Sequence, residues 1–167
     1  ITNEAPVEVE GYTPVPVSPN SKTITIGTGT NEITFYYYKN VTLTANGGEF
    51  LYDGTKKSVS GFTVEGEKMD ATGAKIPADF SDITVGAEGT DANTYYTKFP
   101  EVLTGKEDKN DKYIVIEAKD GELIINKRKV TLTSGSAKRV YNGDPLTNST
   151  VTVSGDGFAK GEGASYD

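Results

Sequence analysis

The chain has 167 residues, with 17 Lys plus Arg against 24 Asp plus Glu, giving a net charge of 17 − 24 = −7. An acidic surface repels phosphate backbones and anionic lipid heads, which argues against nucleic-acid binding and peripheral membrane binding. There is no Cys and no His, so disulfides, thiolate metal sites and Cys nucleophiles are excluded, along with the commonest general base.

Hydrophobic residues make up 35%, a low share for one large core that suits small β modules. No leader is visible at Ile1–Asn3, and no run of about 18 apolar residues could span a bilayer. The pattern starts and stops within a unit. The sequence therefore reads as a piece of a longer chain, with targeting and anchoring segments outside it.

In chain order, Glu4 to Pro19, with Pro6, Pro14, Pro16 and Pro19, reads as an extended lead-in. Lys22-Thr23-Ile24-Thr25-Ile26 alternates strictly, as a strand does. Ile33, Phe35 and Tyr37 would share one face of the next strand, with Tyr37 packed inward. Thr34, Tyr36 and Tyr38 would take the other face, with Tyr36 and Tyr38 pointing outward or toward a neighbouring module. Val41 and Leu43 then oppose Thr42 and Thr44. Lys57 to Glu65 is rich in Val, Ser, Thr and Phe, which predicts further strand. Lys68 to Phe80 carries Met69, Ala71, Ala74 and Ile76 between the breakers Gly73 and Pro77, and predicts a loop with one helical turn. Gly86 to Thr94 and Gly105 to Lys112 read as polar loops. Tyr113 to Ala118 is apolar on both faces, which predicts a central strand. Glu122 to Ile125 follows across Asp120-Gly121, a hairpin signal.

An internal repeat organises these elements. Val41-Thr42-Leu43-Thr44 returns as Val130-Thr131-Leu132-Thr133, an offset of 130 − 41 = 89. The same offset carries Tyr52-Asp53-Gly54 to Tyr141-Asn142-Gly143, Thr63-Val64 to Thr152-Val153, and Gly66 to Gly155, with no gap. The expected organisation is a lead-in over 1–38, a complete β unit over 39–126 and a truncated second unit over 127–167. The fold class is all-β, with an immunoglobulin-like sandwich favoured and a β-grasp as the alternative.

Gly11-Tyr12-Thr13-Pro14, Thr23-Ile24-Thr25-Ile26-Gly27 and Asn31-Glu32-Ile33-Thr34-Phe35-Tyr36-Tyr37-Tyr38 resemble the C-terminal part of a MucBP (mucin-binding protein) repeat, over about Glu8 to Lys39. The unit opening with Val41-Thr42-Leu43-Thr44 and carrying Tyr52-Asp53-Gly54 is similar to the tandem MBG/YDG-type repeats of bacterial adhesins. Gly89-Thr90-Asp91-Ala92-Asn93-Thr94-Tyr95 and Asp120-Gly121-Glu122-Leu123-Ile124-Ile125 resemble the later part of that repeat. Asn93 stands where Gly is usual. The second copy runs from Val130 through Tyr141-Asn142-Gly143 to Gly155-Asp156-Gly157-Phe158. The resemblance implies a secreted protein of the bacterial cell surface, wall-attached through parts outside this chain. Its partners would be neighbouring repeats and, for a binding module, host mucin or glycans.

Candidate sites are few. Tyr52-Asp53-Gly54 and Tyr141-Asn142-Gly143 read as tight turns, with Gly at positive φ, Asp or Asn capping through its side chain, and Tyr anchoring the turn to the core. The alternative is a ligand-binding loop carried once per unit. Tyr12, Tyr36 and Tyr38 are the candidate sugar contacts, since aromatic rings stack on neutral sugars without opposite charge. Asp108, Asn110 and Asp111 offer oxygen ligands for Ca²⁺, but Tyr113 stands where the calcium loop needs Gly, and interleaved lysines favour a solvated loop. Gly27-Thr28-Gly29 has no helix after it and is no dinucleotide fingerprint. Lys–Asn isopeptide cross-links occur in Gram-positive surface modules, and no pair here is singled out. The reading is a non-catalytic stalk or spacer in cell adhesion, with no metal, no cofactor and no membrane insertion. The alternative is an adhesin module that binds host mucin glycans or matrix protein.

Overall fold

The computed structural model describes residues 2–16, 22–24 and 26–165. Pro19 of the lead-in and Thr25 of the strand expected over 22–26 lie outside the described residues. The strands are β1 (Thr2–Glu4), β2 (Tyr12–Pro14), β3 (Lys22–Ile24), β4 (Tyr37–Ala45), β5 (Gly48–Leu51), β6 (Lys57–Ser60), β7 (Phe62–Glu65), β8 (Gly86–Gly89), β9 (Thr94–Thr97), β10 (Tyr113–Lys119), β11 (Gly121–Asn126), β12 (Val130–Ser134) and β13 (Val151–Gly155). The fold is all-β, and no described residue is helical.

Strand β4 is the spine. It pairs in parallel with β10 along one edge, and antiparallel with β2 and then β7 along the other. Val41, Leu43 and Ala45 alternate inward and are buried. Val41 and Leu43 pack with Tyr113 and Val115 of β10, and Phe80 and Leu103 close over them from the long crossover. Phe62 of β7 meets Phe99 edge-on at 5.8 Å on the margin of this core. The Tyr113 hydroxyl, within the sheet, donates to the Ile76 carbonyl at 2.6 Å and accepts from the Lys68 amide at 3.1 Å, so the crossover is fastened to the strand it covers.

Several expectations are corrected. The central strand is β4. Strand β10 pairs only with β4 among the named strands and is flanked on its outer side by the 105–108 turn, whose Lys106 carbonyl accepts from the Val115 amide. A bulge between Val115 and Glu117 makes Ile116 the extra residue, which explains the unbroken apolar run. Residues 31–36 join no strand, although Ile33, Phe35 and Tyr37 are half-buried in alternation with exposed neighbours. The 68–80 segment has a bridge between Met69 and Lys75 where a helical turn was expected, because the Asp70 carboxylate collects the Thr72 and Ala74 amides. Gly86–Gly89, expected as loop, pairs with β6. A Cβ on Gly86 would sit 2.8 Å from the Val59 carbonyl, and one on Gly89 would enter the Tyr95 ring, so these glycines let β8 lie close.

Asp120-Gly121 does not close a hairpin. Strand β10 continues into β11 without reversing, alongside β4 continuing into β5. The ladder keeps one register through the break: 119 − 44 = 75 for the pair Lys119 and Thr44, and 123 − 48 = 75 for the pair Leu123 and Gly48. At the same level Gly61, at φ +81°, joins β7 to β6. Its carbonyl accepts from the Asn46 amide and its amide donates to the Val85 carbonyl. Three double strands thus turn a corner together, from the β4 sheet into the β5–β11–β9 and β6–β8 sheets. A Cβ on Gly121 would lie 2.6 Å from both the Ala45 carbonyl and the Thr97 hydroxyl. Thr97 is fully buried and donates to the Asn46 carbonyl, which seals the corner.

The second unit repeats the first in its pairing. Leu43 opposes Val64 and Leu132 opposes Val153, giving constant sums of 43 + 64 = 107 and 132 + 153 = 285, which differ by twice 89. Gly66 and Gly155 both have positive φ, and a Cβ on either would strike the Asn40 or the equivalent Lys129 carbonyl. The bond from the Asn46 amide to the Gly61 carbonyl recurs as Gly135 to Thr150. Counterparts of β5 and β6, at 137–140 and 146–149, are not strands. In the complete unit those strands pair with β11 and β8, whose counterparts would fall beyond residue 167. The lead-in is not separate from the complete unit either, since β2 pairs with β4 across the 38/39 boundary.

Gly121→Ala should cost about 1–3 kcal/mol through overpacking at the corner. Gly27→Ala, where a Cβ meets nothing within 4 Å, should stay within about 0.5 kcal/mol. Urea titration of both variants checks this.

Candidate functional site

The two Tyr-x-Gly turns share a backbone. Gly54 and Gly143 have φ of +75° and +88°. The Asp53 carboxylate accepts from the Thr55 amide at 2.9 Å, and the Asn142 side chain accepts from the Asp144 amide at 3.2 Å. The expected capping therefore occurs in both. Lys57 and the Thr55 hydroxyl also hold the Asp53 carboxylate, and together they keep its pKa well below the ordinary 3.8.

The tyrosines of these turns are not anchored in their own cores. Tyr141 is 90% exposed. Tyr52 is half-buried and reaches into the second unit, where its hydroxyl donates to the Glu162 carboxylate. That bond raises the Tyr52 pKa above 10.0.

This contact belongs to a junction that the sequence did not announce. Arg128 lies two residues after β11 and clamps both units with its guanidinium. Nε donates to the Gly157 carbonyl at 2.7 Å, Nη1 to the Tyr52 carbonyl at 3.1 Å, and Nη2 to the Asp156 carbonyl. The Asp156 carboxylate in turn accepts from the Lys129 amide at 2.7 Å. Asp91, Lys127 and Phe158 complete a 330 Å³ cleft between the units. The guanidinium and the Tyr52 hydroxyl are both engaged by protein oxygens. A lone Arg in a linker gives no sequence signal for this. Its three carbonyl partners are assembled only by the fold.

The candidate sugar contacts are not brought together. Tyr12 opposes Lys39, and Tyr38 opposes Thr13, so the Tyr12 and Tyr38 side chains take opposite faces of the sheet. The Tyr12 ring lies near two ammonium groups, Lys39 at 4.6 Å and Lys68 at 5.1 Å. Tyr38, expected to face outward or toward a neighbouring module, is only 6% exposed. Burial, followed by the hydrogen bond to Glu107, raises its pKa. Of the three, Tyr36 is the exposed one, at 69%.

The expected solvated loop at 105–112 has a buried centre. The Asp108 carboxylate accepts from the amides of Lys112, Tyr113, Asn110 and Asp79, at 2.7 to 3.3 Å. It organises the turn, while Asn110 and Asp111 are exposed. Among the described residues no three acidic side chains converge on a possible metal position. The Gly27-Thr28-Gly29 turn is closed by Asn31, whose side chain bonds to the backbone of Gly27 and Gly29.

Two outcomes are expected. Arg128→Ala should leave each unit folded and loosen their relative orientation, seen as averaged residual dipolar couplings between 39–126 and 127–165. For Asp53, a depressed folded pKa means stabilisation of the turn that is complete above the ordinary carboxylate pKa and lost as pH falls through the folded value. The Thr55 amide resonance should therefore hold steady down to pH 3.8 and move only in stronger acid, and Asp53→Asn should abolish that movement.

The chain matches no family model, no curated protein and no solved structure.

Proposed function

We propose that this chain is a non-catalytic spacer segment of a bacterial surface protein, working outside the cell as part of an adhesive stalk. The observation that carries this reading is the junction. A second unit, built on the same strand register, is tied to the first by the bond from Arg128 to the Tyr52 carbonyl and the contact between Tyr52 and Glu162, while the Gly157 and Asp156 carbonyls of its own unit hold the guanidinium in place. A spacer needs that property, because a fixed angle between successive units converts repeat number into reach. Sequence drift between copies outside the β4–β7 pair agrees with it. Phe50 in β5 becomes Arg139, whereas Val41-Thr42-Leu43-Thr44 of β4 and Thr63-Val64 of β7 recur unchanged. The net charge of −7 also opposes binding to sialylated or sulfated glycans.

The adhesin reading keeps one observation in its favour, the exposed ring of Tyr36. Titration of the chain with purified mucin and with neutral oligosaccharides at physiological salt separates the two. The spacer reading expects no affinity tighter than about 10 μM, which corresponds to roughly 7 kcal/mol. Tighter binding that is lost in Tyr36→Ala would replace the spacer with the adhesin module.

A further inference from the structure

We infer that Asn142 is a site of spontaneous covalent modification, deamidating through a cyclic imide with the Gly143 amide, and that the fold spares the other Asn-Gly pair, Asn46-Gly47. In this reaction the Gly143 backbone nitrogen, having lost its proton to solvent base, attacks the side-chain carbonyl carbon of Asn142. The new N–C bond closes a succinimide ring, and the side-chain nitrogen leaves as ammonia. Water then opens the ring at either carbonyl, giving Asp or isoaspartate. Nothing is oxidised or reduced, and water is the co-reactant. Glycine after Asn favours the attack because no Cβ shields the nitrogen and the backbone can rotate.

Solvent access does not separate the two pairs, since Asn46 and Asn142 are both exposed. Bonding does. The Asn142 side-chain oxygen accepts from the Asp144 amide at 3.2 Å, and its nitrogen donates to the Asp144 carboxylate at 3.0 Å. These bonds fold the carboxamide back over the peptide that attacks it, and the first polarises the carbon under attack. A Cβ on Gly143, at φ +88°, would meet nothing within 4 Å, so the approach is open. The turn of the complete unit is open as well, where a Cβ on Gly54 would meet the Glu162 carboxylate at 3.9 Å. There the side chain is Asp53, and a carboxylate kept ionised by Lys57 is a poor electrophile. Asn46 is tied differently. Its carboxamide nitrogen donates to the Ser60 carbonyl at 2.9 Å, its amide donates to the Gly61 carbonyl, and its carbonyl accepts from Thr97. Gly47 lies against the Glu122 carbonyl, where a Cβ would sit 2.8 Å away. Ring closure requires the Asn46–Gly47 peptide to rotate, which the corner prevents until it opens.

The product does not reproduce the turn of the first unit. Lys57 and Thr55 hold Asp53, whereas 57 + 89 = 146 and 55 + 89 = 144 are Leu146 and Asp144. A carboxylate at 142 therefore meets a second carboxylate where Asn142 now donates a hydrogen bond, and deamidation loosens the turn. This chemistry is independent of the spacer role and holds whatever the mucin titration gives.

The test follows the full chain at neutral and mildly alkaline pH, native and in urea, by mass mapping of its peptides. In the native chain Asn142 should convert to Asp and isoaspartate at least about tenfold faster than Asn46, whose reaction waits on opening of the corner. The rate should rise with pH, because the attacking nitrogen must be deprotonated, and in urea the two sites should converge. Comparable rates at the two sites in the native chain would overturn the inference. So would an Asn142 that persists in the native chain while converting in urea. A preference for Asn142 that urea leaves unchanged would overturn it too, since flanking residues rather than the fold would then set it.

Discussion

The architecture depends on one close approach, where the backbones of Asn46–Gly47 and Asp120–Gly121 pass each other with room for no side chain. A Cβ on Gly47 would sit 2.8 Å from the Glu122 carbonyl, and one on Gly121 would strike the Ala45 carbonyl and the Thr97 hydroxyl. Because both strands turn at the same height, the parallel ladder survives the corner in one register. The corner divides the sheets and still leaves their strands covalently continuous. The buried Val41–Leu43–Tyr113–Val115 cluster lies on one side of it, and the buried Leu123 and Ile125 on the other. The Thr97 hydroxyl donates to the Asn46 carbonyl at the bend.

The second unit shows how far local sequence alone carries a strand. Residues 130–134 and 151–155 form strands because each is the other's partner. Residues 137–140 and 146–149, the counterparts of β5 and β6, belong to no strand. A strand is defined by pairing, and in this pair Leu132 and Val153 are both exposed.

The junction links this to function. Tyr52 occupies a turn that serves its own unit through Asp53 and Gly54, yet its hydroxyl serves the next unit through Glu162. The same turn in the second unit leaves Tyr141 exposed. At Tyr52 one motif thus closes a turn and supplies a connection. A guanidinium bonded to three carbonyls is geometrically demanding, which suits a device that sets an angle between units.

The sequence by itself determined the all-β class, the 89-residue repeat and the capped turns at Tyr52-Asp53-Gly54 and Tyr141-Asn142-Gly143. These rest on short-range chemistry: period-two alternation, side-chain caps and glycine at positive φ. Only the tertiary structure decided that Asp120-Gly121 is a corner, that Gly86–Gly89 is a strand, that Tyr38 and Asp108 are buried, and that Arg128 clamps two units. In each of these the deciding neighbour is distant in sequence. Gly121 is required by Ala45 and Thr97, Gly86 by Val59, and Arg128 binds carbonyls as far away as Tyr52. Glycine in a tight turn and glycine at a close crossing are the same letter. What separates them is whether another backbone arrives from elsewhere in the chain, and only the fold brings it there.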